Sequence, residues 1–280
     1  MSVQSDREAV RATTAWLHDE LAALTPERWE TPGACGVWSV AEVVAHLDWG
    51  ARVYADAIQR ALAGISEPPP DSGAIADYAA RAAWFAQTAK RLRLELGDRL
   101  LDAYAESGQT LSELFGRLSD RDWQLTAPHP ASPRPVRELL RLRTVELAIH
   151  GWDILHRLGR ADRTPVLPAG SYEPIVEWLP RRIQGSFDRR EPLPEPHRYE
   201  LVLTAPLPRT VRLRVRGDAV DVDPEGDTSS ADVALTLHPE TYVLSFMGRL
   251  DWQDALASGA VSIVGNRHLA AELGSWLRPG

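Results

Sequence analysis

The sequence predicts a helical bundle followed by a smaller α+β domain, an α + (α+β) architecture. Three observations carry this prediction. Apolar residues recur at helical spacing through most of residues 6–158. From Tyr199 onward the period becomes two, as in strands. The length of 280 residues exceeds what one typical domain needs.

The first helix is expected over Asp6 to Leu24, with Val10, Thr13, Trp16, Leu17, Leu21 and Leu24 on its apolar side and Thr25-Pro26 ending it. A loop rich in Pro and Gly runs to Gly36. The second helix has a sharp start, because Ser39 and Glu42 form an S-x-x-E capping box and Trp38 with Val43 can form a hydrophobic staple. It can run to Leu62, with Gly64 beyond. Asp71 to Ser119 is mostly helix formers with a break at Gly97, and Pro128 to Pro135 is a proline-rich loop. A long helix then spans Val136 to Leu158, stopped by Gly159. Four long helices with short or proline-rich connections read as a four-helix bundle over residues 1–160.

Residues 161–198 are expected to be a connecting helix near Tyr172 to Phe187 and a stiff linker containing Pro192, Pro194 and Pro196. The small α+β domain occupies residues 199–280. Its clearest strand alternates as Val211-Arg212-Leu213-Arg214-Val215-Arg216 and ends at Gly217-Asp218, a turn signal. Ala219 to Val222, Val233 to Leu237 and Val261 to Val264 read as further strands, with helix from Pro239 onward.

Composition narrows the function classes. Hydrophobic residues make up 44% and charged residues 25%, which suits a globular chain with a real core. A net charge of −8 argues against nucleic acid or an anionic membrane as general partners. The single cysteine, Cys35, excludes an intrachain disulfide and any CxxC motif. The polar start, Met1 to Glu8, has no apolar signal core, and no apolar run approaches the ~18 residues that span a membrane. The expected location is the cytoplasm.

The informative segment is the helix around Glu146. At roughly 100° per residue, Arg143, Glu146, His150 and Asp153 fall on one narrow stripe. Leu142 and Ile149 border it on one side, Leu147 and Ile154 on the other. Arg137, Arg141 and Thr144 lie opposite and read as the solvated side. A polar stripe bordered by apolar residues points into the bundle, where charge is costly unless paired or metal-bound. Glu146 and His150, at i and i+4, can reach one ion together. His46 is a third candidate, at the edge of the face made by Val40, Val43, Val44 and Leu47. The same residues also suit a surface Glu–His pair and a hydrogen-bonded core histidine, so both readings stay open on spacing alone.

Trp38-Ser39-Val40-Ala41-Glu42-Val43-Val44-Ala45-His46-Leu47, followed about a hundred residues later by Arg143-x-x-Glu146-x-x-x-His150-x-x-Asp153, resembles the mycothiol-dependent maleylpyruvate isomerase family. Leu244 to Arg249 and Gly259 to Gly265 fit its C-terminal pattern loosely. The resemblance implies a DinB-like metal-binding bundle joined to a sterol-carrier-like α+β domain. It makes His46, Glu146 and His150 the ligands of a divalent metal, with zinc expected, and names mycothiol as the thiol cofactor.

A His/Glu/His set leaves a coordination position open, and a thiolate is a ligand zinc favours. Cys35 lacks any accompanying base or metal spacing and reads as incidental, so the nucleophile is expected to be external. Asp153 is a candidate acid/base or a hydrogen-bond partner of a ligand histidine. Arg143 is a candidate for binding a substrate carboxylate or neutralising Glu146. Arg249 is the candidate contact to the thiol from the second domain. The expected activity is thiolate addition to an electrophile with cis-trans isomerisation of maleylpyruvate-like compounds. Its alternatives are a mycothiol S-transferase in detoxification or natural-product biosynthesis, a non-enzymatic metal-containing small-molecule binder, and a DinB-scaffold enzyme with other metal chemistry such as iron. Expected partners are a small-molecule substrate and a low-molecular-weight thiol, without nucleic acid or membrane, in a monomer or homodimer.

Overall fold

A computed structural model describes residues 2–32, 35–67, 78–129, 132–159, 166–187, 193–223 and 230–276. Asp71, Pro130 and Pro192, which the sequence reading uses to mark a helix start, a loop and a linker, lie outside the described residues. The chain divides into two compact units, Met1–Ser171 and Tyr172–Gly280.

The first unit begins with helix α1 (Val3–Ala22), whose Ser2 cap accepts a hydrogen bond from the Ser5 N–H at 3.1 Å. A short α2 (Pro26–Trp29) sits in the stretch read as loop. Helix α3 (Val40–Leu62) starts on the anticipated capping box. The Glu42 N–H donates to Ser39 Oγ at 3.2 Å, and the Ser39 N–H donates to Glu42 Oε2 at 2.8 Å. Helices α4 (Tyr78–Leu96) and α5 (Leu100–Arg117) are separated where Gly97 takes a positive φ of 54°. A hairpin of two-residue strands, β1 (Thr126–Ala127) with β2 (Arg134–Pro135), leads into α6 (Val136–Leu158), which Gly159 ends at φ 53°.

Helices α1, α3, α5 and α6 form the bundle, and α4 packs on α3. Leu17, Leu21, Val43, Ile58, Leu111 and Leu139 are all buried in its core. No helix among the described residues is long and apolar enough to cross a membrane.

One sequence expectation fails on α6. Thr144 and most of Arg141 do not face solvent, and Arg137 does so only in part. The α1 helix packs there, Thr144 is fully buried, and the buried Asp6 carboxylate receives Arg141 at 3.2 Å and Arg137 at 4.0 Å. A charge pair spanning two helices hides arginines that a single-helix reading assigns to water.

The second unit holds helix α7 (Tyr172–Ser186) and a five-stranded sheet. Its strands are β3 (Leu193–Leu203), β4 (Arg209–Gly217), β5 (Ala219–Val222), β6 (Val233–Leu237) and β7 (Val261–Gly265), in the order β5-β4-β3-β6-β7. Only β3 and β6 pair in parallel. Helices α8 (Pro239–Phe246), α9 (Trp252–Ala257) and α10 (Arg267–Leu273) complete it.

Pro194 and Pro196 belong to β3, where the sequence reading has a linker. The register there shifts between Leu193 and His197, and such irregularities accommodate residues that lack an N–H. On β4, Val211, Leu213 and Val215 are buried while Arg212 and Arg214 point outward to Glu200 at 3.1 Å and Asp221 at 2.8 Å. Arg212 and Arg214 thus make ordinary cross-strand pairs.

The α1–α6 contact depends on Gly151. A Cβ there would lie 2.5 Å from the Trp16 ring and 3.4 Å from Leu17. Gly151→Ala is expected to cost about 1–3 kcal/mol through overpacking, read as a lower urea midpoint. An unchanged midpoint would show that Trp16 moves aside freely.

Candidate metal centre

Helices α3 and α6 pack together and place His46 opposite Glu146 and His150. His46 Nε2 lies 3.2 Å and His150 Nε2 3.5 Å from the same oxygen, Glu146 Oε2. One ligand atom from each of the three residues lies within 4.8 Å of the others. The two imidazoles meet edge to face at 5.2 Å between ring centres. Around them stand Trp38, Trp49 and Phe85, at 5.1, 6.1 and 5.8 Å from the His46 ring.

Apolar rings around a carboxylate and two imidazoles set the electrostatics. Burial would raise the Glu146 pKa, but hydrogen bonds from His150 and His46 outweigh it and hold the carboxyl well below its usual range. Burial pushes His46 down, against the pull of Glu146. At His150 burial also opposes charge, yet hydrogen bonding to Asp153, Cys35 and Glu146 holds its pKa well above 6.5. Asp153 Oδ2 lies 3.1 Å from His150 Nδ1, so the ring is oriented through one nitrogen and faces Glu146 through the other. His46 is asymmetric by comparison, since its Nδ1 is buried without a hydrogen-bond partner.

The anticipated residues distribute as follows. His46, Glu146, His150 and Asp153 come together. Arg143 is buried beside them, but its Nη1 donates to the Leu47 carbonyl oxygen at 2.8 Å rather than to Glu146. Its Nη2 has no hydrogen-bond partner, and burial pushes its pKa down. Arg249 lies in the second unit just after α8, where its Nη1 donates to the Met247 carbonyl oxygen at 2.8 Å.

Cys35 is not isolated, contrary to the sequence reading. Its thiol groups with His150 and Asp153, all within 4.8 Å. The backbone returns there through a bridge to Trp38, closed by the Trp38 N–H on the Cys35 carbonyl oxygen at 3.0 Å. Position just before the Trp-Ser-Val motif was the available signal.

Sequence reasoning also missed the remaining walls. A cavity of about 160 Å³ opens beside His46 and Glu146, walled by Tyr54 from α3, Arg81 and Phe85 from α4, and His129 from the β1–β2 loop. These side chains come from separate elements, and only Tyr54, two turns beyond His46, could have been inferred from helical spacing. The cavity thus combines a metal-type donor set, aromatic surface and positive charge.

Comparison with known proteins follows the same division. Residues 10–155 match the model described as mycothiol maleylpyruvate isomerase N-terminal domain, and residues 192–278 match the SCP-2 sterol transfer family. A crystal structure of the mycothiol-dependent maleylpyruvate isomerase shares the fold at 16% identity, covering 89% of this chain and 90% of that one with a TM-score of 0.60. A structure of a point mutant of the mycothiol-dependent maleylpyruvate isomerase gives 15% identity, 94% and 93% coverage and a TM-score of 0.61. No curated protein matches by sequence.

Burial holds the His129 pKa down to about 4, with Arg134 and Arg81 adding and Glu146 opposing. An unfolded chain therefore takes up this proton more readily than the folded one between pH 6.5 and about 4. The stability contribution is complete above that window and is lost as pH falls through it. Denaturant midpoints measured across it should decline with acidity, and His129→Gln should flatten that part of the profile. Identical slopes for both proteins would contradict a neutral, buried His129.

Proposed function

Because the chain belongs to the mycothiol maleylpyruvate isomerase family, we propose that it is a metal- and mycothiol-dependent enzyme that adds an external thiolate to an electrophilic small molecule. The observation that carries this reading is the His46/Glu146/His150 donor set, two of whose members, His46 and Glu146, line a cavity. Two imidazoles and a carboxylate suit a divalent ion of the zinc type. When bound, such an ion supplies a position at which a thiol is deprotonated at neutral pH. His46, Glu146 and His150 would hold it, and Asp153 would keep His150 in one orientation and tautomer. The aromatic wall of Trp38, Trp49 and Phe85 would limit water around the site.

Cis-trans isomerisation of a maleylpyruvate-like compound is the activity we assign first. Arg143 contributes positive potential beside the cavity, and Arg249 is assigned to thiol recognition. S-transfer begins with the same nucleophile and ends with the thiol still attached, so product analysis separates the two. A non-enzymatic binder would hold its ion without an exchangeable position.

Elemental analysis of protein purified without added metal should find about one equivalent per chain. His150→Ala should lose most of it and remain folded, whereas full occupancy in a His46/His150 double mutant would remove the site. Turnover should require mycothiol, tested on maleylpyruvate and on a generic electrophile. The Cys35–His150 contact favours one competing reading, in which the protein supplies the thiol. Cys35→Ser retaining most activity supports the external thiol; loss of activity with metal and fold intact supports the internal one. Arg249→Ala should raise the apparent constant for mycothiol without changing metal content.

A further inference from the structure

His150 belongs to two groups of metal-type donors. Through Nε2 it faces Glu146 at 3.5 Å, on the side of His46. Through Nδ1 it faces Asp153 Oδ2 at 3.1 Å. The Cys35 thiol hydrogen-bonds to the same ring. One donor atom each from Cys35, His150 and Asp153 lies within 4.8 Å of the others. The two groups share His150 alone. Local chain geometry explains the meeting. His150 and Asp153 stand at i and i+3 on α6, so their side chains are neighbours on one face. Cys35 comes from the segment before α3, held by the Trp38 N–H on its carbonyl oxygen at 3.0 Å. The Trp38 ring in turn lies 6.3 Å from that of His150.

We propose that Cys35, Asp153 and His150 form a second divalent-cation position, one selective for thiophilic ions such as zinc and cadmium. Its donors are a sulfur, an imidazole nitrogen and a carboxylate oxygen, a mixture that ions of this class accept. Bonds of about 2.0–2.3 Å put two donors of one ion about 3–4 Å apart. The Asp153–His150 separation of 3.1 Å already falls in that range. The donors need not be idle beforehand. An ion takes the place of the protons that the thiol and the imidazole share with their neighbours. A carboxylate has two oxygens and can ligate through one while the other keeps a partner.

Burial suits this role. Asp153 is buried and the His150 side chain nearly so, whereas Cys35 is half-buried and gives an ion a way in. On binding, the thiol proton passes to solvent. With both positions filled, His150 gives up its remaining ring proton and bridges the two ions as an imidazolate. The positions are therefore coupled through one ring. An ion on Asp153 replaces the hydrogen bond that orients His150 towards Glu146. Because that hydrogen bond and the thiol proton must both be displaced, the second position is the weaker and fills when ions are added. It does not depend on the thiol-addition reading.

Cys35 is the sole cysteine, so thiolate-to-cadmium absorption in the ultraviolet reports this position alone. Metal-free protein titrated with Cd²⁺ should bind two equivalents by equilibrium dialysis, with the absorption growing only with the second. Cys35→Ser should bind one equivalent and show no absorption. His46→Ala should lose the first equivalent and keep the absorption. Asp153→Asn should move the absorption to Cd²⁺ concentrations at least about tenfold higher. The proposal is overturned if no thiolate absorption appears. It is also overturned if the absorption saturates with the first equivalent and disappears in His46→Ala, which would make Cys35 a ligand of the first centre. Absorption unchanged in both His150→Ala and Asp153→Asn overturns it too, as adventitious binding to a lone thiol. A wild type that binds one ion only, with absorption that Asp153→Asn weakens, would leave the Cys35 position standing and remove the His46/Glu146/His150 centre instead.

Discussion

A carboxylate inside a helical bundle has to be neutralised, and Glu146 is neutralised by two imidazoles on two helices. His46 reaches it from α3 and His150 from its own helix, both at one oxygen. Removing either partner leaves a mostly covered carboxylate with one imidazole partner instead of two, which is destabilising. The crossing of α3 and α6 is therefore tied to the chemistry of the site. A bundle packed only by its leucines could slide by a fraction of a turn, but this one is indexed by an ion-pair cluster.

The opposite side of α6 follows the same logic. Asp6 from α1 is buried and answered by Arg141 and Arg137, so the helix carries ionic clusters on two faces with apolar packing between them. On α3, Asp48 is buried and pairs with Arg52 at 3.1 Å. Such groups contribute little net stability compared with apolar replacements, but they discriminate strongly against a wrong register. Register matters where side chains from two helices converge, as His46, Glu146 and His150 do.

Much of this was legible in the sequence wherever the signal was local. The Ser39–Glu42 capping box sits where its spacing predicts, and Gly97 and Gly159 break helices by adopting positive φ. The stripe of Glu146, His150 and Asp153 was readable because one helix carries it. His46 needed the family motif, since nothing on α3 alone shows which helix will face it. Non-local facts were lost for the same reason. Arg137 and Arg141 look solvated until Asp6 arrives from α1. Cys35 looks incidental until the turn before α3 brings it to His150. Pro194 and Pro196 look like linker because composition does not reveal a strand that tolerates a register shift. Tyr54, Arg81 and His129 converge from three elements, and no period connects them.

The cavity walls have an evolutionary consequence. The candidate ligands stand on α3 and α6, whereas Arg81 and Phe85 stand on α4 and His129 and Arg134 on the hairpin before α6. The α4 helix packs chiefly on α3, outside the group formed by α1, α3, α5 and α6. Descendants of such a scaffold can exchange the walls while retaining the His46, Glu146 and His150 cluster. Selection for a new substrate would then act on two peripheral segments, and the diversity of a lineage built on this plan should accumulate there first.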